Sequence, residues 1–140
     1  MPEDFLKEKK HRQSIISLLL EMTASDNALN ARETKFVLDV ATHLKLTPSD
    51  IQEVKDNPAN FIFSPPALEH ERMNIFYFIL FAMAVDGEIK QEEERFAYQA
   101  SLRLGFNDRM TADLLVVMKR YLNKVMPPDA LLLEVKKYMN

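Results

Sequence analysis

Two short acidic segments contain most of the side chains in this sequence that could do chemistry. They span residues 25–33 and 85–93, and both have the form Asp-[Asn/Gly]-x-[Leu/Ile]-x-x-x-Glu. Carboxylate oxygens are the ligands that calcium and magnesium prefer, whereas zinc sites mostly use nitrogen and sulfur. The segments therefore predict a site for a divalent cation, Ca²⁺ or Mg²⁺. Its candidate ligands are Asp26, Glu33, Asp86, Glu88 and Glu93.

The order of Asp, Gly, Ile and Glu in the second segment also matches the second half of an EF-hand calcium loop. Such a loop needs oxygen ligands at its first and third positions. These positions are Met22 and Ala24 in the first segment, and Ala82 and Ala84 in the second. None of these side chains contains oxygen, so we do not expect a standard EF-hand.

The acidic residues also have a purely structural interpretation. Asn30 is a suitable N-cap, and Glu33 three residues later would complete a capping box at the start of a helix. The functional interpretation is a site for a cation or a basic partner, since the second segment and its flank contain five acids and one lysine, Lys90, within nine residues. Those acids are Asp86, Glu88, Glu92, Glu93 and Glu94. The sequence leaves both interpretations open.

Helical periodicity dominates the rest of the chain, which predicts an all-α fold of about seven helices. A buried helix is expected over residues 11–24, an amphipathic helix over 31–45, and a short helix that Thr47 caps and Pro48 begins. Ser64 is expected to cap a long helix that reaches residue 85. Gly105 is expected to end a helix over 91–104, and two further helices cover 111–125 and 130–139.

The chain repeats itself after 60 residues. This shift aligns residues 11–46 with 71–106 without a gap and gives eight identical pairs, from Arg12 and Arg72 to Leu44 and Leu104. We expect one domain over 1–140, with a first repeat at about 11–56, a second at about 65–125 and a carboxy-terminal helix at about 129–140. The predicted architecture is a pseudo-twofold bundle of two repeated helical hairpins.

A linker between two proline-containing stretches contains Phe61, Ile62 and Phe63. Three large apolar residues in a row predict that the linker packs onto the core. The same linker is a candidate contact surface for a protein partner. The candidate partner-binding residues are Phe61, Phe63, Glu92 and Glu94.

Composition excludes several classes of function. The net charge is −3, which argues against nucleic-acid binding, because that requires a clustered basic surface. The chain has no cysteine, so disulfides, thiolate zinc sites and cysteine nucleophiles are excluded. Only 2 of 140 residues are glycine, which argues against a phosphate-binding loop. No catalytic arrangement of side chains is present, so we expect a protein that is not an enzyme.

The longest apolar run, over 75–85, has 11 residues, fewer than the ~20 that span a bilayer. With no signal sequence, a cytoplasmic location is expected, and peripheral membrane association stays open. The sequence predicts no oligomeric state.

The doubled acidic motif, with Ala-x-Asp-Gly-Glu-Ile as its clearest stretch, resembles the TerB-like family over roughly residues 11–125. That family includes the tellurite-resistance protein TerB and the amino-terminal part of the DjlA co-chaperones. The resemblance implies a bacterial, stress-associated, all-helical module at the cytoplasm or the inner membrane face. The family's proposed metal-chelating acids would correspond to Asp26, Glu33, Asp86 and Glu93. Asn27 and Ala28 depart from the family pattern, so the resemblance favours the second site over the first.

Two functions are therefore expected from the sequence. The first is a non-enzymatic TerB-like module whose acidic turns bind a divalent cation or a basic partner. The alternative is a protein–protein interaction scaffold without a ligand.

Overall fold

The computed structural model describes residues 4–23, 31–84, 87–127 and 129–138. Over these residues the chain forms eight α-helices and two short 3-10 helices, and no strand. This confirms the predicted all-α class. The α-helices are α1 (Asp4–Lys7), α2 (Lys9–Thr23), α3 (Ala31–His43), α4 (Pro48–Asp56), α5 (Glu69–Met83), α6 (Gln91–Arg103), α7 (Asp108–Arg120) and α8 (Ala130–Val135), and the 3-10 helices are Pro58–Asn60 and Lys136–Tyr138.

The 60-residue repeat is visible in the helix boundaries. Helices α2 and α5 both have 15 residues, and α5 begins and ends 60 positions after α2. Helices α3 and α6 both have 13 residues with the same shift. The shift also relates the first residues of α4 and α7. The repeated unit is therefore three helices long, one more than the predicted hairpin.

The turn after the second helix of each repeat has the same backbone geometry. Lys45 and Gly105 both adopt the left-handed conformation, with φ of 59° and 82°. An N–H three residues past the last helical residue bonds back to a carbonyl in the last turn, as in a Schellman end. These bonds join Leu46 N to Ala41 O and Phe106 N to Ser101 O, each at 2.9 Å. Gly105 thus ends its helix as predicted.

A side-chain cap begins the third helix of each repeat. The Thr47 hydroxyl accepts the Asp50 N–H at 3.1 Å, and Asn107 Oδ1 accepts the Met110 N–H at 2.8 Å. Pro48 occupies the first turn of α4, as predicted, because its missing N–H would have no helical partner there. The caps and the preceding turns are local in sequence, which explains why the repeat retains them.

Both ends of α5 and of α7 differ from the prediction. Helix α5 begins at Glu69, not Ser64, because residues that precede a proline disfavour the α-conformation and Pro65 and Pro66 follow Ser64 directly. It ends at Met83, short of residue 85. Helix α7 begins earlier and ends at Arg120, so Val125 is 94% exposed and not on an inner face as expected.

The chain divides into two compact units, Met1–Phe78 and Ile79–Asn140. In the first unit α2 packs against α3 and α4. Its buried apolar residues include Ile15, Ile16, Leu18, Leu19, Phe36, Val37, Val40, Ile51 and Val54. In the second unit α7 packs against α6 and α8. Its buried apolar residues include Phe96, Ala97, Ala100, Leu104, Met110, Leu114, Leu115, Met118, Leu131 and Val135.

A polar contact joins α2 to the start of α4. Lys9 Nζ lies 2.7 Å from Asp50 Oδ1, and Gln13 Nε2 donates to the Asp50 carbonyl at 3.0 Å. Gln13 and Asp50 are both buried, and the equivalent residues of the second repeat are the buried Met73 and Met110. The first repeat therefore uses ionic and hydrogen-bonding groups at positions where the second has thioethers.

The left-handed turns predict opposite effects of two substitutions. Lys45→Gly should raise the free energy of unfolding by less than about 1 kcal/mol, because relief of the left-handed cost is partly offset by glycine's entropy. Gly105→Ala should lower it by about 1 kcal/mol for the converse reason. Urea unfolding measures both, and a decrease for Lys45→Gly would contradict the assignment.

The Lys9–Asp50 contact predicts a pH-dependent stability. The hydrogen bond from Lys9 is the main cause that holds the pKa of Asp50 below its ordinary value of 3.8, and the Thr47 N–H lowers it further. A lowered pKa in the folded state gives stability that is present above the unfolded value and lost as the pH falls through the folded value. Asp50→Asn should therefore destabilise the chain at neutral pH, and this cost should shrink as the pH falls below 3.8 towards the lowered pKa of the folded state.

Urea midpoints measured from neutral to acid pH test this expectation. Asp56→Asn, at an exposed position of the same helix, is the control. A cost of Asp50→Asn that stays constant across the range would show that the Asp50 charge contributes nothing.

Candidate functional site

The second acidic turn is built tightly around Gly87. Gly87 has a φ of +80°, and its N–H bonds to the Ala84 carbonyl at 3.0 Å. Asn123 Nδ2 donates to the Gly87 carbonyl at 3.3 Å. A Cβ at Gly87 would lie 2.6 Å from Asn123 Oδ1. Both the conformation and the close approach explain why glycine stands at this position.

The described acids of this turn bond to neighbouring groups. Glu88 Oε1 lies 2.9 Å from Lys90 Nζ, and Glu93 Oε1 accepts the Lys90 N–H at 2.9 Å. The second of these bonds is one half of a capping box, so Glu93 stabilises the start of α6. Glu94 Oε2 pairs with Lys119 Nζ of α7 at 3.0 Å, and the side chain of Glu92 is exposed. The capping role considered for the first turn is therefore seen in the second.

The predicted metal ligands are only partly within the described structure. Asp26, Asp86 and the side chain of Glu33 lie outside the described residues. Within the described part, no group of three or more His, Asp or Glu side chains is placed to hold a metal ion. Glu88 and Glu93 both bond to Lys90, through different atoms of that residue. The metal site stays a prediction that depends on the aspartates.

The linker packs onto the first unit, as predicted. Phe61 and Phe63 are only 6% and 7% exposed, whereas Ile62 between them is 75% exposed. The two rings anchor the linker, and Ile62 points away from the core. Of the three residues, Ile62 is thus the one that a partner can contact without rearrangement of the linker.

A groove of about 580 Å³ lies between α2, α4 and the linker. Its lining is mostly apolar, which is typical of sites that bind ligands or peptide segments. Two charged side chains border it, Glu21 from α2 and Lys55 from α4. The remaining lining residues are Ser17, Leu20, Val54, Pro58, Ala59, Ile62 and Phe63.

The groove exists because α4 is short. Helix α4 has 9 residues and its counterpart α7 has 13. Pro58 cannot donate the N–H that would extend α4, and it disfavours the α-conformation at Asn57. Because α4 ends at Asp56, the part of α2 that a longer α4 would cover has no helical neighbour there. The groove was not predicted, although Pro58 aligns with Met118 in the repeat and indicates an earlier helix end.

A second arrangement that the sequence did not predict surrounds Phe5. Its ring stacks on His11 at 4.5 Å and meets Phe63 edge-on at 6.1 Å. Its N–H donates to Glu71 Oε2 at 2.9 Å. Its carbonyl accepts from His11 Nδ1 at 3.0 Å, so Nδ1 carries a proton. These contacts join residues up to 66 positions apart, beyond the reach of any local pattern.

Comparisons of the chain with protein-family models, curated proteins and solved structures found no match. None of the helices in the described part is both long and apolar enough to cross a bilayer. The functional assignment therefore depends on the chain's own geometry.

Proposed function

We propose that this chain is a non-enzymatic, cytoplasmic TerB-like module that acts by binding a protein partner in the groove of its first unit. The observation that carries the proposal is the mostly apolar groove beside the exposed Ile62. An exposed isoleucine next to an open apolar cleft gains free energy when a partner covers both. The sequence also predicts an interaction surface on the linker. The proposed surface is centred on the exposed Ile62 and the groove, because Phe61 is buried.

The proposed occupant is one face of an amphipathic helix. Such helices dock with aliphatic side chains spaced at i, i+3, i+4 and i+7 in an apolar groove. Glu21 and Lys55 border the groove from different helices, so a helix with a basic flank towards α2 and an acidic flank towards α4 complements it. Because the two flanks carry opposite charges, only one direction of the bound helix places each flank beside the opposite charge.

The chemistry of the groove supports a binding role. Among its lining residues Ser17 has the only hydroxyl group, and no histidine accompanies it. A serine nucleophile needs an adjacent base, so these residues give no acyl-transfer site. The TerB-like part of the proposal draws support from the all-helical repeat and its acidic turns, which agree with what the resemblance implies.

A designed helix tests the groove. The probe is a labelled amphipathic peptide of about 15 residues with leucines at i, i+3, i+4 and i+7. Ile62→Asp should weaken its binding about tenfold or more, since burial of one aliphatic side chain is worth roughly 1.5–3 kcal/mol. The matched control is Leu102→Asp, because Leu102 is 68% exposed but lies on α6. Equal losses for both variants, measured by fluorescence anisotropy, would contradict the proposal.

The second candidate function is binding of a divalent cation at the second acidic turn. The observation in its favour is that the Glu88 side chain is 61% exposed and pairs with a lysine that is itself 39% exposed. Water screens such a pair, so a cation can compete for the carboxylate at little cost. Gly87, with its left-handed backbone, lies between Glu88 and Asp86, the candidate ligand two residues before Glu88 in the sequence.

Calorimetric titration with Ca²⁺, Mg²⁺ and Zn²⁺ tests this candidate. We expect binding of the two oxygen-preferring cations in the micromolar to millimolar range and its loss in Asp86→Ala, because a removed carboxylate is a removed ligand. Glu69→Ala, at an exposed position of α5, is the control. No heat of binding at millimolar metal, or binding that Asp86→Ala leaves unchanged, would contradict it.

A further inference from the structure

The first unit holds Phe5 through its side chain and both of its backbone polar groups. The ring lies between His11 and Phe63, the N–H is bound by the Glu71 carboxylate, and the carbonyl is bound by His11. A four-residue helix leaves its backbone N–H and carbonyl groups without helical partners, so they must find partners elsewhere. Here two side chains supply them, as a peptide-binding site does for a ligand residue.

The segment that contains Phe5 is small and attached by a short connection. Helix α1 has only four residues, and Glu8 alone separates it from α2. Isolated helices of this length are not stable in water, so contacts with the rest of the unit must hold α1 in place. The Phe5 contacts reach Phe63 and Glu71, which lie far along the chain.

The site has room for more than Phe5. A cavity of about 300 Å³ lies beside the Phe5 ring and is bordered by both its stacking partner His11 and the linker. Its other lining residues are Lys10, Ser14, Asn60, Phe61, Ile62 and Ser64. A bound segment with a further side chain next to its aromatic residue would fill this cavity, which α1 leaves open.

We propose that this is a second protein-binding site, specific for a peptide segment with an exposed phenylalanine, and that α1 occupies it as an internal competitor. Phe5 shows the chemistry of the occupant: an aromatic ring to stack on His11, an N–H for Glu71 and a carbonyl for the His11 ring. A partner binds by displacing α1. The Phe5 site adjoins the groove, since Ile62 borders both, but Lys55 and Val54 line only the groove and Phe5 and His11 only this site, so the inference goes beyond the groove.

The chain itself supplies the probe. A labelled peptide of residues 2–9 is added to the full-length Phe5→Ala variant and to the unmodified chain. The variant should bind it about tenfold more tightly or better, since a tethered competitor has an effective concentration on the order of millimolar. The same peptide with alanine in place of phenylalanine should not bind to either protein. If folded Phe5→Ala fails to bind the peptide, or binds both peptides equally, the proposal is wrong.

Two further variants, each made in the Phe5→Ala chain, locate the peptide. Glu71→Ala should weaken binding about tenfold, the typical loss when a hydrogen bond to a charged group is removed. Glu69→Ala is its control on the same helix. Lys55→Glu alters only the groove, so it should leave binding of the phenylalanine peptide unchanged. A loss with Lys55→Glu but not with Glu71→Ala would assign the peptide to the groove and overturn this inference.

A measurement on the unmodified chain covers the case in which Phe5→Ala does not fold. Excess peptide should displace α1, so the Phe5 N–H should exchange with solvent faster while amides inside α2 stay protected. Unchanged exchange at Phe5 in the presence of saturating peptide would contradict displacement. If the designed amphipathic helix fails to bind while the phenylalanine peptide binds normally, only the groove proposal is contradicted.

Discussion

The absent N–H of Pro58 determines the shape of the first unit. Without that donor α4 ends after 9 residues, and a 3-10 turn over Pro58–Asn60 leads the chain into the linker. The linker then runs back over the first unit, with Phe61 and Phe63 buried and Ile62 exposed. The groove lies where α4 would have continued, and Phe63 is the ring that Phe5 meets edge-on. Both proposed binding surfaces therefore depend on one proline.

The repeat serves as an internal comparison of two solutions to one fold. Caps, Schellman turns and helix starts recur at a constant spacing of 60 residues, because short-range backbone geometry is the same in both copies. Contacts between helices differ more. Gln13 and Asp50 are polar and buried where the second copy has Met73 and Met110. The second copy in turn uses Asn123 to brace its acidic turn at a position where the first copy has Phe63. The two copies therefore share their caps and turns but differ in the side chains that join one helix to the next.

What the sequence predicted correctly was local. The cap at Thr47, the start at Pro48 and the end at Gly105 each depend on a few adjacent residues, and the buried helices depend on periodicity. The predicted start of α5 at Ser64 was wrong, because the two prolines after Ser64 outweigh its preference for an N-cap position. Pro58 indicates an early end of α4, but neither the groove nor the Phe5 site follows from it alone, since they require knowing that the linker returns to α2 and that Glu71 lies near Phe5. The capping role of Glu93 was available from sequence, because a capping box spans only four residues.

The single bend at Glu8 has a mechanical consequence. Arg12 already bonds to the Glu8 carbonyl at 3.1 Å, so α2 needs only one more residue in helical conformation to merge with α1. The contacts of Phe5 with Glu71, His11 and Phe63 hold α1 in its bent position, and they are lost once Phe5 leaves its site. Residues 4–23 would then form one continuous helix of 20 residues, about 30 Å long. The same bend that folds Phe5 back would thus convert the loss of a contact into the extension of a helix.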